Sequence, residues 1–151
     1  MPIEKITPNL EKQLEIAARG DVLLYNKLGG IGDILCARLI FEDMKKMPNI
    51  GNVTFAVPRK YLSLIEDHPF IDRKMAVEDI NDEVIAGYVF SKDLTQTPGQ
   101  AEYRTMPNAV RNRSDILAES IGLSLKSHQG HLTFSDREME FAGQYIKRLG
   151  D

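Results

Sequence analysis

The densest chemistry in this chain lies in seven consecutive residues, Lys27-Leu28-Gly29-Gly30-Ile31-Gly32-Asp33. Gly29, Gly30 and Gly32 let a backbone turn tightly and approach a ligand, Lys27 supplies a cation, and Asp33 supplies a carboxylate that can cap a helix or accept a proton. Where an apolar strand enters such a turn and a helix leaves it, backbone N–H groups and the positive end of the helix dipole meet at the carboxyl edge of a sheet. Anions bind there readily. The same residues also suit an ordinary strand-to-helix turn, with Asp33 as an N-cap and Lys27 as a solvated loop lysine.

Spacing narrows the ligands. A dinucleotide fingerprint needs a third small residue after Gly30-x-Gly32, yet Leu35 stands there, and the second expected strand ends in Pro58 and Arg59 rather than an acid for the ribose. Arg59 leaves only a 2′-phosphate of the NADP type open. The Lys-[Ser/Thr] ending of a P-loop is missing, so ATP hydrolysis is not supported.

Elsewhere, Arg104, Arg111 and Arg113 gather near a long segment without clear periodicity, and could grip an anionic sugar or form a solvated basic surface. Tyr103 could stack on a sugar ring, whereas Tyr88 reads as strand core. His128 and His131 stand three apart, but no carboxylate motif or further histidine completes a ligand set, so no metal is expected. Cys36, the single cysteine, reads as a small buried hydrophobe.

The elements that position these residues follow from periodicity. Leu10, Leu14, Ile16 and Ala17 mark a short helix over residues 9–19, closed by Gly20. "DVLLYN" (21–26) and "VTFAV" (53–57) are compact apolar runs of strands buried on both faces. Between them "DILCARLIFEDMKKM" (33–47) reads as one helix, and Pro58 as the N1 proline of a helix over "RKYLSLIEDH". Strand, helix, strand, helix predicts an α/β fold: a Rossmann-like parallel sheet with helices on both faces. Beyond it, "KMAVED" and "EVIAGYVF" (83–90) are expected as short strands, and residues 91–108 as a long ligand-facing loop. Ser114 is expected to cap a helix over residues 115–122 that ends at Gly122, and "HLTF" to be a last short strand. Ser135 and Glu138, at capping-box spacing, open a final helix.

The block "VLLYNKLGGIGDILCARLIFEDMKKMPNIGNVTFAVP" resembles the opening of the ADP-heptose:lipopolysaccharide heptosyltransferases, glycosyltransferase family 9, with the GT-B architecture of two Rossmann-like domains. The likeness continues more faintly through "NRSDILAESIGLSL" and "LTFSDREMEFAGQYIKRLG". It implies that residues 1–151 are the acceptor-side N-terminal domain, about half of a typical member, and that the nucleotide-sugar-binding domain is absent from this chain, so that the chain is inactive without that domain. It implies an inverting transfer of a heptose-like sugar from an ADP-sugar to a saccharide acceptor in lipopolysaccharide assembly. Asp33 maps onto the family's proposed general base, with Lys27, the loop glycines, Tyr103, Arg104, Arg111 and Arg113 around the substrates. No cofactor is implied, and the diphosphate is stabilised by cationic side chains and helix N-termini. The alternative reading is a stand-alone module that binds an anionic or nucleotide ligand without catalysis.

Composition bounds the rest. The 151 residues suit one core, and 42% hydrophobic with 27% charged residues is ordinary for a folded domain. Lysines and arginines number 19 against 22 acids, a net charge of −3, which argues against nucleic acid as a partner. A single cysteine fits a reducing compartment, and no apolar run reaches the ~18 residues of a membrane span, so a cytoplasmic protein is expected, with room for peripheral membrane contact.

Overall fold

The computed structural model describes residues 20–108 and 110–150, so the helix expected over residues 9–19 lies outside the described residues. Strand β1 (Gly20–Tyr25) pairs in parallel with β2 (Ile50–Val57) on one side and with β4 (Phe90–Asp93) on the other, and β2 pairs in parallel with β3 (Arg73–Ala76). The order is β3-β2-β1-β4. The Rossmann-like fold expected from the apolar runs is therefore present, with β1 inside the sheet.

Alternation sorts the side chains between two faces. Val22 and Leu24 of β1 join Val53, Phe55 and Val57 of β2 beneath helices α1 (Ile31–Arg38), α2 (Phe41–Lys45) and α5 (Arg113–Ser120). Leu23, Ala56 and Met75 form a smaller cluster on the opposite face, under Val84 and Ile85 of the short helix α3 (Asp82–Ala86). Phe41 stacks on Phe55 with ring centroids 4.9 Å apart, joining the helical layer to the sheet.

Several expectations are corrected. The helix read over residues 33–47 is two helices, because the Arg38 carbonyl accepts a hydrogen bond from His68 Nε2 at 2.8 Å instead of serving the next helical turn. The helix after Pro58 is a 3₁₀ turn over Arg59–Leu64, with Pro58 preceding it. "EVIAGYVF" is not a strand: residues 82–86 are helical, Asn81 caps them by accepting from Val84 N at 2.9 Å, and β4 begins only at Phe90. Tyr88 lies between them, its hydroxyl donating to Thr54 Oγ1. Residues 91–108 are not one loop, since β4 continues to Asp93 and helix α4 (Thr97–Tyr103) follows. Asn112, not Ser114, caps α5, and Gly122 follows with φ 78°, the left-handed backbone that glycine adopts without strain. "HLTF" forms no strand. The final helix, α6 (Asp136–Leu149), does start with the Ser135 and Glu138 capping box. It leaves Met139, Phe141, Tyr145, Ile146 and Leu149 exposed.

In place of that last strand, residues 126–133 form a strap held across the amino-edge side by buried charge. Arg38 is only 1% exposed; its guanidinium donates to Asp67, to the Leu64 carbonyl, and to the carbonyls of Gly130 and His131 at 3.1 and 2.7 Å. Asp43 accepts from the backbone of Lys126 and Ser127, Glu42 from Ser127 Oγ and His131, and Asp67 from Thr133. Arg38→Met should therefore strand several carbonyls and cost about 3–5 kcal/mol, as broken buried pairs do. Urea denaturation measures the loss, and a loss below about 1 kcal/mol would contradict this account.

Buried groups beneath the strap, and the strap's own bonds to carboxylates, make stability fall with acid. Burial lowers His68 to about 4 from its ordinary 6.5, so the unfolded chain takes up that proton first; its contribution is complete above pH 6.5 and disappears as pH falls towards 4. Hydrogen bonds from Ser127, His131 and Lys46 hold Glu42 near 2. Burial alone would raise Asp67, but bonds from Thr133 and Arg38 outweigh it and leave Asp67 near 2 as well. Both carboxylates stabilise the fold above their ordinary values of 4.5 and 3.8, and that contribution is lost as pH falls towards 2. Thermal melts should show Tm declining in two stages, and a flat Tm between pH 7 and 4 would exclude the His68 stage.

Candidate functional site

From β1 the chain runs outward to β2 and β3, then returns to lay β4 on the other side of β1. The carboxyl ends of β1 and β4 therefore flank a topological switch point, where open α/β sheets bind ligands. A crevice of about 480 Å³ lies there, lined by Lys27, Leu28, Lys92, Asp93, Thr95, Gln96, Thr97 and Gln100. Thr95 ties its two walls together: its hydroxyl oxygen accepts from Lys27 N at 2.8 Å, and its own N–H donates to Asp93 at 2.9 Å. Lys92 sits partly buried, its ammonium donating to the Ser120 carbonyl at 2.9 Å; burial lowers its pKa.

The glycine loop is built by Asn26, which closes β1. Its side-chain oxygen accepts from Gly29 N at 2.6 Å, and a Cβ on Gly29 would lie 2.4 Å from that amide. Gly29 is the glycine the loop requires, whereas a Cβ on Gly32 meets nothing within 4 Å. Gly30 is the N-cap of α1, and Asp33, at the third helical position, reaches back to accept from Gly30 N at 3.0 Å. The aspartate is thus half of a capping box and not the cap itself. Leu28 and Ile31 stand exposed on either side of the loop.

Asp33 has a second partner. Arg113, which opens α5, donates from Nη1 to Asp33 Oδ1 at 2.6 Å, while Nε and Nη2 grip Glu102 of α4 at 2.6 and 2.9 Å. The bidentate bond to Glu102 is the main reason the Arg113 pKa is raised and that of Glu102 lowered. Asp33 remains 30% and Arg113 41% exposed, so the triad borders solvent.

The expected site residues thus divide. Lys27, the three glycines, Asp33 and Arg113 share the carboxyl edge. Tyr103 and Arg104 line an adjoining hollow on α4, while Arg111 turns away to pair with Glu119. Arg59 lies away from the glycine loop in a surface ion pair with Asp79 at 2.7 Å. His128 faces Asp115 and His131 faces Glu42; among the described residues no group of histidine, cysteine and acids could hold a metal ion. Cys36 is half-buried against the core. Sequence reasoning missed Asn26, Lys92, Thr95 and Glu102. Asn26 carried a signal, a polar residue ending an apolar strand, and the other three lay in or beside the segment read as a loop.

The fold and site define a Rossmann-like domain with a polar, partly cationic crevice at its switch point. No family model matches the chain, and no curated protein matches it. Among solved structures it is similar to that of a glycosyl transferase family 9 protein from Veillonella parvula, at 15% identity and a TM-score of 0.34, over 68% of this chain and 29% of that one. The chain thus spans less than a third of that structure's length, and at that score the likeness says nothing of activity. No helix of the described residues is long and apolar enough to cross a membrane.

The loop geometry predicts opposite outcomes for two substitutions. Gly29→Ala should displace Asn26 and cost about 1–3 kcal/mol through the lost hydrogen bond. Gly32→Ala, in open helical backbone, should be neutral or stabilise by up to about 1 kcal/mol. Melting temperatures of the two variants decide it, and equal effects would refute the assigned role of Asn26.

Proposed function

We propose that this domain is the acceptor side of an inverting glycosyltransferase that uses a nucleotide-activated sugar, heptose-like and carried on ADP as the sequence resemblance implies. The observation that carries the reading is one partly exposed carboxylate, Asp33, held by a capping bond at the carboxyl edge of a parallel sheet, the edge that also carries a crevice furnished with lysines, hydroxyls and amides. In the reaction, Asp33 takes the proton of the acceptor hydroxyl as that oxygen attacks the anomeric carbon and the nucleoside diphosphate leaves from the opposite face. Gly30 N–H and Arg113 orient the carboxylate, and Lys27 stands where negative charge arrives. The exposed apolar side of α6 supports packing against further structure, here the donor-binding domain.

One observation favours a second reading. Arg113 already occupies Asp33 Oδ1, an arrangement that also suits a module holding an anionic ligand on Arg113 without chemistry. Asp33→Asn separates the two. Asparagine can still accept from Gly30 N, so the loop and Tm should persist, while transfer from an ADP-sugar by the protein carrying both domains should fall roughly 10²–10⁴-fold. Wild-type turnover in Asp33→Asn would remove the base and leave the binding module.

A further inference from the structure

Arg113 is shared between two carboxylates, and it is shared unequally. A guanidinium presents its five N–H groups along distinct edges of a rigid plane. Glu102, in the last turn of α4, takes the side edge whole, from Nε at 2.6 Å and Nη2 at 2.9 Å. Only Nη1 reaches Asp33, at 2.6 Å on Oδ1, while Oδ2 of the same carboxylate accepts from Gly30 N at 3.0 Å. Among the described residues Arg113 is the ion-pair partner of both acids, and neither has another. Three helices thus meet at one cation: α1 through Asp33, α4 through Glu102, and α5, which Arg113 opens.

Stability does not account for Glu102. Its side chain is 29% exposed, and ion pairs so open to water contribute little to folding. What Glu102 does control is which donors remain for Asp33. An arginine fork matches a carboxylate through two parallel bonds, and Arg113 facing Asp33 alone would be drawn into that geometry. A cation would then cover both oxygens of Asp33 and hold its ionised form more firmly. With the side edge committed to Glu102, Asp33 receives one bond on each oxygen, from two different donors, and each oxygen keeps a lone pair.

We propose that Glu102 is a positioning residue for Asp33: by holding the Nε and Nη2 edge of Arg113, it limits the guanidinium to a single bond with the aspartate and keeps that carboxylate able to accept a proton. The proposal rests on the transferase reading only in making Asp33 the base. The hold of Glu102 on Arg113 is a property of this chain.

The test uses the 151-residue chain with ¹³C and ¹⁵N in its aspartates and arginines. In the wild type, the grip on the side edge should slow rotation about the Arg113 Nε–Cζ bond and keep Nη1 and Nη2 as separate resonances in the cold. A single averaged signal would sink the proposal before any variant is made. Glu102→Gln should leave Tm nearly unchanged. The proton affinity of Asp33, read from the pH course of its carboxyl ¹³C resonance, should fall at least about threefold in that variant as Arg113 turns towards it. Losing the Glu102 charge by itself also favours ionised Asp33, so the substitution is repeated in an Arg113→Gln background. There the fall should be less than half as large, because Glu102 acts through Arg113. An unchanged Asp33 in Glu102→Gln, or a fall of half the original size or more once Arg113 is gone, would overturn the assignment. Turnover by the protein carrying both domains separates this proposal from the catalytic one. Where Asp33 is the base, Glu102→Gln lowers kcat with KM little changed, and Glu102→Asp restores part of the loss. Wild-type turnover in Asp33→Asn would remove the base and leave the resonance measurements standing.

Discussion

The site depends on one constraint, the parallel register of β1 with a strand on either side. Val22, Leu23 and Leu24 are fully buried, so β1 can neither slip by a residue nor leave the sheet without exposing apolar side chains on both faces. Its carboxyl end is then a fixed point. Asn26 closes the strand there, Gly29 folds against Asn26, Gly30 starts α1, and Asp33 comes back to the cap. Because β4 returns to the far side of the same strand, Thr95 meets Lys27 and the crevice opens beside the loop instead of across the domain from it.

The two ends of the sheet are finished in different ways, and the difference has physical content. Near the amino edge, Arg38, Glu42, Asp43, Asp67 and His68 are saturated with partners from the strap, and among the described residues no buried side-chain polar atom lacks a hydrogen bond. Such a network favours one arrangement strongly, because a half-satisfied version of it would be worse than an apolar core. At the carboxyl edge the polar groups stay partly solvated: Gln96 and Gln100 barely meet, Tyr103 is open, and the Asp33 triad faces water. The polar groups beneath the strap are committed to protein partners, while those at the carboxyl edge keep hydrogen-bonding capacity uncommitted.

How far the sequence was legible follows the range of the interactions. Strands β1 and β2, the glycine turn and the Ser135 and Glu138 capping box rest on neighbours a few residues apart, and periodicity and spacing reveal such features. The break between α1 and α2 was illegible, because its cause is a histidine thirty positions downstream that takes a helical carbonyl. Arg38 is a charged residue in a helical segment, yet it is buried by a strap nearly a hundred residues away. Residues 83–90 carry valine, isoleucine and alanine and read as a strand, but an Asn81 cap and a sheet face needing cover made residues 82–86 a helix. That error displaced β4 and hid α4, and with α4 went Glu102, whose role shows only when Arg113 is placed between it and Asp33.

That triad also determines how the site would respond to a charged ligand. Arg113 is held on two sides by carboxylates, bidentate towards Glu102 and through a single nitrogen towards Asp33, so its two bonds are unequal in strength and geometry. An arriving anion competes for the guanidinium at the weaker bond, while Glu102 keeps the arginine in place. Asp33 would then lose one partner but retain the other, since Gly30 N–H holds its second oxygen in the capping box. The carboxylate would keep its capping bond with Oδ1 released. A neutral ligand cannot make that exchange. The release of Asp33 Oδ1 would therefore depend on Glu102 anchoring Arg113; without that anchor the guanidinium could follow the ligand.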